Sequence, residues 1–191
     1  MATCPPARPC CAAARAGDDI YVSGQLGDAR LALEAFRGQL SLPEAVFSAC
    51  RARMELPTPR LALGQALRGV ASAAADLSDG LLGDLGHILR QSAVGAQLQL
   101  PACEALLGCR DQLALDTHWL RTAVLAGGDD YELVFTAPPA QRAAVAQAAH
   151  ASQTPVHRIG QISAEPGTRL LDAQGQAVAV PLAGFDHFAP H

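Results

Sequence analysis

At 191 residues, half of them apolar, the chain holds enough material for one sizeable core, so a single domain is the default expectation. Eighteen acidic against fourteen basic residues leave a formal net charge of −4 with no basic block, which excludes nucleic acid and other broad polyanions as expected partners. Any phosphate the chain handles has to be held locally, by a metal, backbone N–H groups or single arginines.

Asp18 to Ser23 is a β-prone run closed by Gly24, and Leu26, Ala29, Leu33 and Phe36 then recur at helical spacing up to Arg37. Pro43 opens a second helix that runs to Met54, since proline is tolerated in a first helical turn. Pro57-Thr58-Pro59 enforces an extended connection before a helical pattern from Arg60 to Gly69 and a small-residue strand from Val70 to Leu77. Leu82, Leu85 and Leu89 mark one face of a helix from Leu81 to Gln91, with Ser78 or Asp79 positioned as its N-cap.

Gly95 to Leu100 alternates Ala96, Leu98 and Leu100 against Gln97 and Gln99, the period of a half-buried strand. Asp116 to Ala126 reads as a helix, Tyr131 to Thr136 as a strand and Pro138 to His150 as an alanine-rich helix. Short strands at Val156 to Ile162, Arg169 to Asp172 and Ala177 to Val180 complete the pattern. Strands alternate with helices, so the expected class is α/β or α+β, with a mixed β-sheet packed against helices.

The six cysteines contain no Cys-x-x-Cys pair, and Cys103 and Cys109 read as buried small hydrophobes, which fits a reduced cytoplasmic chain. Prolines and arginines interrupt every apolar run near Met1, so no secretion signal is expected. No stretch reaches the length of a membrane span.

Two acidic runs carry the chemistry: Asp76-Leu77-Ser78-Asp79-Gly80-Leu81 and Gly127-Gly128-Asp129-Asp130-Tyr131-Glu132-Leu133. Both fall where the hydrophobic period changes. Asp76 and Asp79 flank a strand-to-helix junction, where their carboxylates can converge on a hard cation such as Mg²⁺ while first-turn N–H groups receive a phosphate. Equally, Asp79 can cap the helix and Asp76 can be a solvated strand end; the spacing alone leaves both open. In the second run, strand alternation puts Asp130 and Glu132 on one face and Asp129 and Tyr131 on the other, so only one of the two aspartates is expected to enter a site. A plain turn before an edge strand would account for the same residues. His87 reads as a surface or packing residue, Trp119 and the Leu120 to Leu125 stripe as core, and no nucleophilic triad can be argued from spacing.

The segments DDIYVSGQLGDA (18–29), PTPRLALGQAL (57–67), ASAAADLSDGLLGDLGHIL (71–89), GGDDYELVFTAP (127–138), RIGQI (158–162) and GFDHF (184–188), in this order, resemble the C-terminal half of the thiamine-monophosphate kinases. That resemblance implies an AIR synthetase C-terminal-like domain over residues 17–188, preceded by a disordered or non-native segment over 1–16, with the family's N-terminal ATP-binding domain absent. The activity it implies is ATP-dependent phosphorylation of thiamine monophosphate to thiamine diphosphate, with Mg²⁺ as cofactor and a homodimer as the full-length assembly. Residue by residue, it implies Asp76 and Asp79 as Mg²⁺ ligands, Ser78 as a contact to the ATP phosphates, and Asp129 and Phe185 as contacts to the thiamine substrate. Direct transfer needs alignment and charge neutralisation, and no protein nucleophile. The 191 residues alone are expected to have little or no kinase activity. The alternative is a non-catalytic module of the same fold that binds Mg²⁺ and phosphate.

Overall fold

The computed structural model describes residues 14–180. The expected tail contact Phe185 and most of the 1–16 segment lie outside the described residues.

Seven strands form one sheet: β1 (Asp19–Ser23), β2 (Ala73–Leu77), β3 (Gly95–Gln99), β4 (Glu132–Ala137), β5 (Val156–Ser163), β6 (Gly167–Leu171) and β7 (Ala177–Val178). Their spatial order is β2-β4-β1-β5-β3-β6-β7. β3 and β6 run parallel, and every other neighbouring pair is antiparallel. The mixed sheet is thus the one the sequence pattern predicts.

The helices are α1 (Asp28–Phe36), α2 (Glu44–Glu55), α3 (Leu61–Ala66), α4 (Leu81–Ser92), α5 (Leu100–Glu104), α6 (Thr117–Ala126) and α7 (Arg142–Ala151). They cover the sheet unequally, and strand alternation decides which side chains each layer receives. Ile20, Val22, Leu77, Leu98, Val134 and Ile159 point into the larger core, together with Leu31 of α1, Cys50 of α2, Leu85 and Ile88 of α4 and Val124 of α6. Tyr21 and Phe135 point the other way, into a smaller cluster with Leu63 of α3 and Val145 of α7. Their rings stack with centroids 5.2 Å apart. Central β1 is consequently buried along its whole length.

Two elements differ from the sequence reading. Leu100, expected to end β3, instead begins α5, with Pro101 in its first turn where a missing N–H costs nothing. The Pro138 to His150 helix is divided into a 3₁₀ turn at Pro139–Gln141 and α7. Asp116, by contrast, is a working N-cap for α6, its carboxylate accepting from Trp119 N–H at 2.8 Å.

Candidate active site

The C-terminal end of β2 lies beside the start of β4, with Leu77 opposite Glu132, and β1 ends nearby because Val22 pairs with Val134. This register brings the two acidic runs together. Asp129 N–H donates to Ser78 C=O at 3.0 Å, and Tyr131 N–H donates to Leu77 C=O at 2.9 Å. A Cβ on Gly128 would lie 2.5 Å from Ser78 O, so the close approach of the loops depends on glycine there. Asp129 and Tyr131 take φ of 66° and 51°, an unfavourable left-handed backbone on either side of Asp130.

Ser78, Asp79, Gly128 and Asp129 line one 250 Å³ cavity, whose remaining wall includes Arg30 of α1 and Arg37 at its C-cap. Both arginines are steadied by the buried Glu34, from Arg30 Nε at 2.8 Å and Arg37 Nη1 at 3.1 Å. Two aspartates, a serine and two arginines therefore border a common space, residue types suited to a phosphate and a hard cation. Asp79 and Ala126 also border a larger cavity of 660 Å³, walled by Leu82, Leu125, Leu170 and Val180.

Neither Ser78 nor Asp79 caps α4, which corrects the expectation from sequence. Gly80 occupies the N-cap with no side-chain cap, and Asp84, inside the first turn, reaches back instead. Its Oδ2 accepts from the N–H groups of Ser78, Asp79 and Gly80 at 3.0, 3.0 and 3.1 Å. Burial pushes the Asp84 carboxyl above the ordinary carboxylate range, with Asp79 adding to the rise and the three N–H groups opposing it. The loop is thereby wound around the Asp84 carboxyl group, while the exposed Asp79 lies at the cavity wall.

Asp76 takes a different place. It lines a 480 Å³ cavity with Arg60, Arg68, Tyr131 and Leu133, and among the described cavities none is lined by both Asp76 and Asp79. The reason is the period of two in β2. Leu77 faces the large core, so Asp76 faces the α3 side, whereas the chain passes over the sheet end and carries Asp79 to the α4 side. The two carboxylates thus border different cavities.

The alternation expected for the second run is present. Asp130 and Glu132 are buried; Asp129 and Tyr131 are exposed. Both Asp130 oxygens accept from Gly27 N–H at 3.0 Å. Burial raises the Asp130 carboxyl to about 8 against the pull of that N–H and of Arg53. Glu132 accepts from Ser23 Oγ at 2.6 Å and forms a two-pronged pair with Arg60, at 2.7 and 2.6 Å. His87 is an exposed helix residue beside Arg90, and the buried Cys103 thiol is pushed up to about 12 by desolvation.

Arg30, Arg37, Glu34 and Asp84 were not singled out by sequence reasoning. The signal for the first three was present, since residues 30, 34 and 37 repeat at helical spacing and share one face of α1. Asp84 carried a weaker one, an acid in the first turn of its helix.

A helix-covered mixed sheet that gathers acids, a hydroxyl and arginines at one end defines an α/β domain with a phosphate-compatible loop junction. The chain belongs to the family described as AIR synthase related protein, C-terminal domain, whose model matches residues 15–173. It is 41% identical over 180 residues to a thiamine-monophosphate kinase of Salmonella typhimurium, and 37% identical over 182 residues to one of Haemophilus influenzae; each match covers 92% of this chain and 54% of the relative. The chain thus spans about half the length of the curated relatives it matches. Among solved structures, a thiamine-monophosphate kinase from Stenotrophomonas maltophilia K279a superposes with a TM-score of 0.76 at 40% identity, covering 88% of this chain and 53% of that one. AaThiL complexed with AMPPCP and TMP gives a TM-score of 0.70 at 28% identity, covering 93% and 53%. Escherichia coli HypE, at 22% identity and a TM-score of 0.63, shares the fold.

Proposed function

We propose that this chain supplies the substrate-side half of a thiamine-monophosphate kinase: transfer of the γ-phosphoryl group of ATP to thiamine monophosphate in the cytoplasm, assisted by Mg²⁺, with residues 17–188 as the family domain. The observation that carries the reading is the meeting of Ser78, Asp79 and Asp129 with Arg30 and Arg37 around one cavity. A terminal phosphate oxygen of thiamine monophosphate attacks the γ-phosphorus; the new P–O bond forms as the bond to the ADP leaving group breaks. Two highly charged anions must approach each other, so neutralisation and alignment dominate the barrier.

Each residue has a part in this. Arg30 and Arg37, held by Glu34, present guanidinium groups to phosphate oxygens. Ser78 contacts the ATP phosphates, Asp129 orients the thiamine substrate, and Phe185 lies against its ring. Asp79 and Asp76 offer carboxylate oxygens of the kind Mg²⁺ prefers, and their separate cavities mean that they serve different ions. Bound Mg²⁺ supplies charge neutralisation on the phosphate oxygens. The N–H groups of residues 78–80 do not receive phosphate, because Asp84 already uses them.

Calorimetric titration of the chain with thiamine monophosphate and with Mg-AMPPCP tests the reading. Both ligands are expected to bind, with Asp129→Ala abolishing the first signal and Asp79→Ala the second. Unchanged binding in both variants would sink the site. The second reading is a module of the same fold that binds ligand without turnover. Kinase assays on the 191 residues alone distinguish the two: little or no turnover is expected until the residues of the relatives' other half are provided, and ligand binding without turnover even then would establish the module.

A further inference from the structure

On the large-core side of the sheet, Asp28, Cys50 and Cys109 converge. Asp28 opens α1, Cys50 lies on the buried face of α2, and Cys109 belongs to the turn that follows α5. All three residues are buried, both thiols are free, and one carboxylate oxygen and the two sulfurs all lie within 4.8 Å of one another. We propose that this triad is a site for a thiophilic divalent cation of the Zn²⁺ type, holding α1, α2 and the 107–109 turn together.

Tetrahedral Zn²⁺ with sulfur and oxygen ligands needs ligand atoms separated by about 3.5–3.8 Å, and these three already lie within 4.8 Å of one another. Two thiolates and one carboxylate around a divalent ion leave one negative charge. Arg53 Nε, 3.4 Å from Asp28 Oδ2, is in place to balance it. The carboxylate is also oriented, because Cys109 N–H donates to Asp28 Oδ1 at 3.1 Å.

The backbone packs closely against the carboxylate: a Cβ on Gly108 would lie 2.3 Å from Asp28 Oδ2, so glycine is needed there. Soft sulfur in the donor set selects against Mg²⁺, which keeps this site separate from the oxygen-lined cavity. On binding, each thiol gives up its proton and forms a metal–sulfur bond. The consequence for the neighbouring cavity is mechanical: α1 carries Arg30, with Arg37 at its C-cap, and a metal at its first residue fixes the helix that presents them.

The test uses the full chain with Cys4→Ser, Cys10→Ser and Cys11→Ser, so that these three thiols cannot contribute. Titration with Co²⁺, in the absence of nucleotide and thiamine phosphate, is expected to give one equivalent of a thiolate-to-cobalt charge-transfer band that Zn²⁺ displaces. Loss of the band is expected in Cys50→Ala and in Cys109→Ala, and weakened binding in Asp28→Asn. Should an alanine variant fail to fold, Zn²⁺ protection of Cys50 and Cys109 from alkylation, read by mass spectrometry on the parent chain, gives the same answer. No band, a band that survives Cys50→Ala, or alkylation indifferent to Zn²⁺ overturns the proposal.

Discussion

Asp19 and Asp130 are both buried carboxylates beside the central strands, and their surroundings push them in opposite directions. At the Asp19 end of β1, Arg142 reaches the carboxylate at 2.6 and 3.0 Å and Arg158 at 3.0 Å. The hydrogen bonds from Arg142 lead the causes that hold this carboxyl below its usual range, against the cost of burial. At the opposite end, where β1 gives way to the loop before α1, Asp130 meets one backbone N–H, and burial wins. The Asp19 end is electrostatically matched. The other end combines an unmatched acid, left-handed φ at Asp129 and Tyr131 and an open polar cavity, the kind of strain and pKa displacement that gathers at functional sites.

The sharpest way to break the contrast is Glu132→Ala. It leaves the Arg60 guanidinium and Ser23 hydroxyl without their acceptor beside the acidic junction, and a loss of about 3–5 kcal/mol is expected in urea unfolding. Equal midpoints for the two proteins would show that the network contributes nothing. The two aspartates then predict opposite pH behaviour. Asp130 has its folded pKa raised, so between pH about 4 and about 8 the unfolded chain releases its proton first and stability falls as pH rises. Asp130→Asn should flatten that decline by more than any other single carboxylate change at this end.

Asp19 has its folded pKa depressed, so its contribution is present above the unfolded value of about 4 and is lost as pH falls through the folded one. Asp19→Asn should cost about 1–3 kcal/mol at neutral pH and remove part of the acid-induced loss, both read from unfolding midpoints across pH. If the two variants shifted the same limb of the stability profile, the comparison between the ends would fail. The smallest effect is expected far from both. Asp116→Ala removes the N-cap of α6 and should lower stability by about 1 kcal/mol, measured at constant pH, with no change in ligand binding.

Hydrophobic period made most of the fold legible. The alternation of Ala96 and Leu98 and the helical recurrence of Leu82, Leu85 and Leu89 correspond to β3 and α4, because burial acts locally on a repeating face. The second acidic run was legible for the same reason, since a period of two separates Asp130 and Glu132 from Asp129 and Tyr131. The α4 cap was not. Asp79 has the right residue type at nearly the right place, but three N–H groups turned inward toward Asp84, a partner that a propensity scale does not see. Cys109 was readable as buried, whereas its approach to Cys50 and Asp28 joins residues from three distant stretches of chain.

From the sequence by itself came the mixed α/β class, the order of elements and the two loops that hold the acids, all properties of neighbouring residues and their periodicity. Tertiary structure decided which carboxylates share a space: β2 sends Asp76 to the α3 side and Asp79 to the α4 side, and it is the pairing of β2 with β4 that sets Asp129 beside Ser78. Charge and hydrogen bonding act through distance in space, and that distance is fixed only when strands far apart in the chain take their register.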